Sequence, residues 1–331
     1  MDSTIQQQRA SLIQRTFPRG IARLWCPPLT HYRQDASLDA DRVKAHIRAL
    51  APFIGGLLVP GSTGDGWELS RAQKFELLDT VLPLAAALKL PVLIGALERT
   101  APGMLDFIEA LGPRVREDPA VGIVACAPTG AGLSDAVVEA SFERILGLGL
   151  PTAIYQLPQV TGNEISSGTI SRLAARYANF IMIKDSSGED HLAEAGLDLG
   201  GVFLVRGAEL GYSGWLKPQG PYDGFLLSTA NWLAPQLAAI AAKTGTGQLD
   251  KAVDAAVAGA FDLVPGYPTG NAFGNSAKLM DHVMAYGNKA AGTPGPFSRD
   301  GSPFPQELVS RAVKLLSSQG LLPDSGYMAD R

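Results

Sequence analysis

Pro151-Thr-Ala-Ile-Tyr-Gln-Leu157, Ser167-Gly-Thr-Ile-Ser-Arg-Leu-Ala-Ala-Arg-Tyr177 and Phe180-Ile-Met-Ile-Lys184 follow one another in the middle of the chain. The outer two are short, continuously apolar runs. Continuity rather than alternation suggests strands covered on both faces, as in a parallel sheet. The middle stretch opens on a capping serine and carries helical spacing. Strand, helix and strand within roughly 30 residues make one βα repeat.

The alternation continues in both directions. Apolar runs at Ile21–Leu29, Gly56–Gly61, Pro91–Leu97, Val121–Ala127, Val202–Gly207 and Asp223–Thr229 bring the total to eight. Between them, Ser70 caps a stretch that sets Phe75, Leu78, Val81 and Leu82 on one helical face, and Asp135–Leu148 reads the same way. Eight βα units in about 230 residues favour a closed α/β architecture, a (β/α)8 TIM barrel, over an open doubly wound sheet. No Gly-x-Gly-x-x-Gly follows the first strand, which counts against a dinucleotide fold. Leu249–Val264, Ala272–Tyr286 and Gln306–Gln319 then read as helices, with Gly292–Pro305 the most loop-like stretch. The expected organisation is a frayed N-terminal tail over 1–20, a barrel over 21–245 and a C-terminal helical extension over 246–331.

Composition narrows the function. The chain has 331 residues, 46% of them hydrophobic, and a net charge of -4. A nucleic-acid partner would need a clustered basic surface, and none is evident. No apolar run approaches the ~18 residues that span a bilayer, and the polar N-terminus lacks the apolar core of a secretory signal. A soluble, cytoplasmic protein is expected. Cys26 and Cys126 sit in apolar runs and read as buried hydrophobes in a reducing compartment. His31, His46, His191 and His282 lie far apart without ligand spacing, so no metal is expected.

Barrel chemistry sits at the C-terminal ends of the strands. The sixth run ends at Lys184, and period-two alternation puts Lys184 with Met182, and Ile181 with Ile183. Such a lysine often just emerges into water. Drawn inward, it loses solvation of its charge, and a neutral amine is what attack on a ketone requires. Tyr155 ends the neighbouring run, as a proton carrier or a structural tyrosine. After the second run, Gly61-Ser-Thr-Gly64 lets backbone amides and the Ser62 and Thr63 hydroxyls approach an anion such as a carboxylate, although it is also an ordinary turn.

These residues resemble motifs of the dihydrodipicolinate synthase and N-acetylneuraminate lyase family of class I aldolases. Gly61-Ser-Thr-Gly64 is similar to its Gly-[Ser/Thr]-Thr-Gly-Glu motif, with Asp65 in place of the glutamate. Tyr155-Gln-Leu-Pro-Gln-Val-Thr-Gly162 is similar to its Tyr-Asn-x-Pro-x-x-Thr-Gly segment, and Ile183-Lys184-Asp-Ser-Ser-Gly188 to its Schiff-base motif. Gly207-Ala-Glu209 and Ser228-Thr-Ala-Asn231 match further on.

The resemblance implies a lyase that holds pyruvate, or a substrate containing it, as an imine on Lys184. Tyr155 would be the proton relay, Ser62 and Thr63 would hold the carboxylate and the tyrosine hydroxyl, and Thr63 thereby joins Lys184 and Tyr155 in the catalytic set. Ser62, Thr63, Gly64, Gly207, Glu209 and Ser228 would bind a small-molecule substrate. It also implies a homotetramer, a dimer of dimers, needing no cofactor. Val160 stands where the synthase has an arginine, and Pro128-Thr-Gly-Ala131 where it carries an arm tyrosine, which weighs against 4-hydroxy-tetrahydrodipicolinate synthase activity. A dehydratase of 2-oxo-3-deoxy sugar acids and a non-catalytic 2-oxo-acid-binding barrel are the alternatives. His31, Glu98 and Glu209 are candidates for the second-substrate pocket, or else rim charges.

Overall fold

The computed structural model describes residues 3–245, 247–268 and 270–329. Its parallel strands are β1 Leu24–Trp25, β2 Leu57–Val59, β3 Val92–Gly95, β4 Val121–Cys126, β5 Thr152–Gln156, β6 Phe180–Asp185, β7 Phe203–Arg206 and β8 Gly224–Leu226. Their order is β1-β8-β7-β6-β5-β4-β3-β2. A parallel bridge between Cys26 and Leu57 completes the ring. The expected (β/α)8 barrel is therefore present, with helices outside and a helical region after β8.

Each strand falls inside its apolar run, except that β6 continues one residue further, to Asp185. Several are shorter than the runs. Beyond β1 lie Pro27 and Pro28, and beyond β2 lies Pro60; proline has no N–H to extend a ladder.

Alternation sorts the side chains into two apolar layers. Trp25, Leu58, Leu93, Val124, Ala153, Met182, Val205 and Leu226 fill the barrel. Leu57, Ile94, Ile123, Ile154, Ile183 and Phe225 face the surrounding helices. Ile181 departs from expectation by joining the interior layer with Met182. The cause is a register shift: Thr152 pairs with Phe180 but Ala153 with Met182, so β6 carries one extra residue.

Residues 1–20 were expected as a frayed tail, and the described part corrects this. Ser3–Thr16 is a helix, and Phe17 joins the interior layer with Leu12 and Ile13 packed against it. Its ring meets Trp25 edge-on at 5.7 Å between centroids. Arg9 is fully buried. It donates to the carbonyls of Phe180 at 2.8 Å, Leu199 at 3.1 Å, Gly200 at 2.6 Å, Tyr177 at 3.0 Å and also Ala174. These acceptors surround the start of β6 and the approach to β7. Polar residues dominate the segment, leaving too few apolar positions for periodicity to register.

The extension contains helices Gly247–Phe261, Ala272–Tyr286 and Gln306–Ser318. The second is buried along most of its length and opens on an Asn271 cap. Among the described residues, no helix is long and apolar enough to cross a membrane.

Replacing Arg9 by methionine leaves these carbonyls without their charged donor. With hydrogen bonds to charged groups each contributing about 1.5–3 kcal/mol, Arg9→Met is expected to destabilise the fold by ~3 kcal/mol or more. Calorimetry reads this, and an unchanged transition would mean that the helix does not seal the barrel.

Candidate active site

Lys184 and Tyr155 are register partners at the C-terminal ends of β6 and β5. Only 4% of Lys184 and 3% of Tyr155 is exposed. As alternation requires, both side chains lie on the interior side, Tyr155 within the inner layer. The lysine Nζ stands 4.1 Å from the centroid of the tyrosine ring. Among the described residues no carboxylate lies within ion-pairing distance of this amine, although other buried lysines and arginines are paired: Lys74 with Glu98, Lys278 with Asp65, and Arg206 with Asp190.

Gly207, at the end of β7, lies against the same lysine. A Cβ there would fall 2.7 Å from Lys184 Cε and 2.0 Å from Ser186 Oγ. The Ser186 hydroxyl is buried without a partner among the described residues. Sequence reasoning passed over Ser186 because it is one of two adjacent serines in a loop, with nothing to mark which turns inward.

Ser62 and Thr63 follow β2. The turn uses its own amides at Gly64, Asp65 and Gly66, which donate to the carbonyls of Gly61, Ser62 and Gly61. Those of Ser62 and Thr63 have no such use among the described residues, so the anion-binding reading narrows to these two. Thr63 Oγ1 lies 2.6 Å from Ser228 Oγ, joining the loops after β2 and β8. Ser62 Oγ accepts from Trp67 Nε1 at 2.9 Å. Gly64 is pinned through its carbonyl, which accepts from Thr30 Oγ1 at 2.6 Å.

Asp65, in the left-handed region at φ 61°, accepts from Lys278 Nζ at 2.7 Å, Tyr32 Oη at 2.9 Å and Asn271 Nδ2 at 3.0 Å. This buried carboxylate locks the glycine-rich loop to the helix Ala272–Tyr286 and its Asn271 cap.

The other candidates face elsewhere. Glu209 accepts from Tyr212 Oη and Thr229 Oγ1, each at 2.8 Å, and from the Thr229 amide at 3.1 Å. Burial pushes its carboxyl up, against the lowering effect of these bonds and of Lys184. It lines a crevice of about 20 Å³ with Ser228, Phe261 and Phe273. Glu98 is one-third exposed and held by Lys74 at 2.7 Å. His31 turns toward Asp281 at 3.7 Å. Val160 is 41% exposed in the turn after β5. Pro128 and Gly130 in the loop after β4 are tied down through their carbonyls by Asn163 Nδ2. Burial pushes both thiols, Cys26 and Cys126, up, away from reactive thiolates.

The histidines that looked scattered partly converge. His31, His46 and Asp281 bring potential ligand atoms within 4.8 Å of one another. The Arg42 guanidinium, 2.7 Å from Asp281, already supplies a cation there.

Residues 21–257 match the profile of the Dihydrodipicolinate synthetase family. The 4-hydroxy-tetrahydrodipicolinate synthase of Methanospirillum hungatei is 27% identical over 154 residues, 46% of this chain and 51% of that protein. The Probable 2-dehydro-3-deoxy-D-pentonate aldolase of Escherichia coli is 26% identical over 167 residues, 48% and 52% of the two chains. The chain thus spans about half the length of these curated relatives. A variant of Sulfolobus solfataricus 2-keto-3-deoxygluconate aldolase in complex with L-2-keto, 3-deoxy-galactonate has a TM-score of 0.73 at 16% identity, covering 90% of this chain and 96% of the other. An Escherichia coli prophage protein in complex with pyruvate has 0.69 at 21% identity, covering 90% and 99%. At these identities the structural likeness carries the fold. The family match runs from the approach to β1 into the helix Gly247–Phe261, and on that extent the chain belongs to the dihydrodipicolinate synthetase family.

Proposed function

We propose that this protein is a lyase of the class I aldolase type that binds a 2-oxo acid, pyruvate or a pyruvate-containing substrate, as an imine on Lys184. One observation carries the reading: a nearly buried lysine at a barrel mouth, without a carboxylate partner among the described residues, over the ring of Tyr155. A buried structural lysine is ordinarily paired. A nucleophile has to be left open.

The amine adds to the ketone carbon, and the carbinolamine loses water to give the imine. Cleavage of the bond beside the imine-bearing unit sends its electron pair toward the imine nitrogen, releasing an aldehyde and leaving an enamine. Protonation of the enamine and hydrolysis then free pyruvate and Lys184. Tyr155 is assigned the proton transfers, with the Thr63–Ser228 hydroxyl pair as its support. The amides of Ser62 and Thr63, beside Gly64, are assigned to the carboxylate. Gly207 leaves room for the lysine stem, and Glu209 orients Thr229 beside Ser228.

The aldolase names borne by a curated relative and by a structural neighbour favour a 2-oxo-3-deoxy sugar acid as substrate. Val160 and Pro128–Ala131 weigh against the synthase reaction. A dehydratase would use the same imine and expel water in place of the aldehyde. The family resemblance favours a homotetramer, which light scattering measures.

Borohydride reduction in the presence of pyruvate, followed by peptide mass spectrometry, is expected to place a pyruvyl adduct on Lys184. Lys184→Ala should give none, and an adduct persisting in that variant would move the nucleophile elsewhere. Gly207→Ala is expected to cut the trapping rate roughly tenfold or more, because its methyl takes the space of Lys184 Cε. Normal trapping there would mean that the lysine stem works from another position. Tyr155→Phe should still be trapped but turn over about 10²-fold more slowly, the scale of a lost general acid–base. Full turnover would make Tyr155 structural.

A further inference from the structure

Asn231 lies in the first turn of the helix Ala230–Ala241, which follows β8, with its side-chain amide fully used. Nδ2 donates to the carbonyls of Pro27 and Ser228, each at 2.9 Å. Oδ1 accepts from the Leu29 amide at 3.1 Å and lies 2.9 Å from His46 Nε2. Two carbonyls facing Nδ2 fix the orientation of the amide, so His46 Nε2 carries the hydrogen that points at Oδ1. Two donors and two acceptor sites are all that an amide side chain offers. The group stitches the segment after β1 to the loop bearing Ser228, whose hydroxyl touches Thr63 Oγ1 at 2.6 Å.

His46 lies on the helix Ala40–Leu50 and is wholly buried. Its second nitrogen, Nδ1, is 2.9 Å from Asp281 Oδ1 and 3.1 Å from Tyr327 Oη. Tyr327 donates to the same Asp281 oxygen at 2.7 Å, and Arg42 Nη2 donates to Oδ2 at 2.7 Å. The Arg42 guanidinium lies over the rings of Tyr286 and Tyr327. Burial alone would raise the Asp281 carboxyl, but His46 and Arg42 hold it well below the usual carboxylate range. Asp281 and Tyr327 belong to the extension, past residue 257 where the family match ends.

We infer that His46 is a positioning residue through which the C-terminal extension sets the Ser228–Thr63 hydroxyl pair for proton transfer. The path runs from Tyr327 and Asp281 through His46 to Asn231, and from there to the loop after β8. His46 itself meets neither Lys184 nor Tyr155. The inference rests on the assignment of Thr63 and Ser228 to the proton path.

The test uses the full chain with pyruvate as probe. Deuterium uptake into the pyruvate methyl group in D2O, followed by NMR, reads proton transfer at the imine, and borohydride trapping reads imine formation separately. Glutamine can place a donor near His Nε2, and asparagine near Nδ1. His46→Gln keeps the bond to Asn231 but gives up the Nδ1 contacts with Asp281 and Tyr327, and is expected to lose a few-fold in exchange, whereas His46→Asn loses the bond to Asn231 and should fall roughly tenfold or more in kcat with KM and trapping retained. Tyr327→Phe, which loses one hydroxyl only, should lower kcat a few-fold at unchanged KM. Equal behaviour of the Gln and Asn variants, or exchange and trapping falling together with Tm, would overturn the inference and leave His46 structural. A parent protein that forms no pyruvyl adduct would instead overturn the functional reading beneath it.

Discussion

A barrel closes only if its shortest strand still holds both neighbours, and here that strand is two residues long. β1 pairs with β8 through Leu24 and Trp25. On the β2 side the Leu24 carbonyl accepts from the Gly55 N–H at 2.9 Å, the Cys26 N–H donates to the Gly56 carbonyl at 3.1 Å, and the Cys26 carbonyl accepts from Leu58 at 3.0 Å. Side chains supply what the prolines withhold. Arg23 donates to the carbonyls of Asp223 at 3.2 Å, Ala241 at 3.0 Å and Lys217 at 3.0 Å, and Asn231 binds the far side of the prolines. The bulk of Trp25 fits beside β2 because Gly56 has no Cβ; one placed there would stand 2.2 Å from the indole. Every strand-end residue at the mouth depends on this seam staying shut.

Much of the fold was legible because a parallel barrel writes itself as repeated apolar runs. The eight runs from Ile21 to Thr229 each contain a strand, and the helix Ala272–Tyr286 has the bounds its periodicity gave. The placing of Lys184 and Tyr155 at neighbouring strand ends followed from period two and from consecutive βα units. Alternation failed at Ile181, where one extra residue in β6 changes the face, and no local composition announces such a slip. It also failed over Ser3–Thr16, where docking rests on one arginine and a few apolar side chains rather than on a stripe.

The site was legible as positions more than as directions. Glu209 occupies the strand end expected of it, but its carboxylate is turned to Tyr212 and Thr229. His31 follows β1 as expected, yet it points at a helix from the other end of the chain. Residues 46, 231, 281 and 327 meet only in three dimensions, so no spacing could link them. The buried pair Asp65–Lys278 is of the same kind. Removing one partner from such a pair costs about 3–5 kcal/mol, because the remaining charge is stranded. The helix Ala272–Tyr286 is thus held in one orientation over the barrel by two charged contacts, at Lys278 and at Asp281.

The docking of Arg9 sets an order of events during synthesis. The Ala174 carbonyl that it binds is made 165 residues later, and the Gly200 carbonyl 191 residues later. With translation adding about 5–20 residues per second, the helix around Arg9 waits many seconds with these carbonyls unmade. Leu12, Ile13 and Phe17 stay uncovered for the same interval, because the interior they join includes Met182 and Val205. On the ribosome, the earliest part of this domain is among the last to settle, and a chain stalled before residue 200 would expose it to the cell's chaperones.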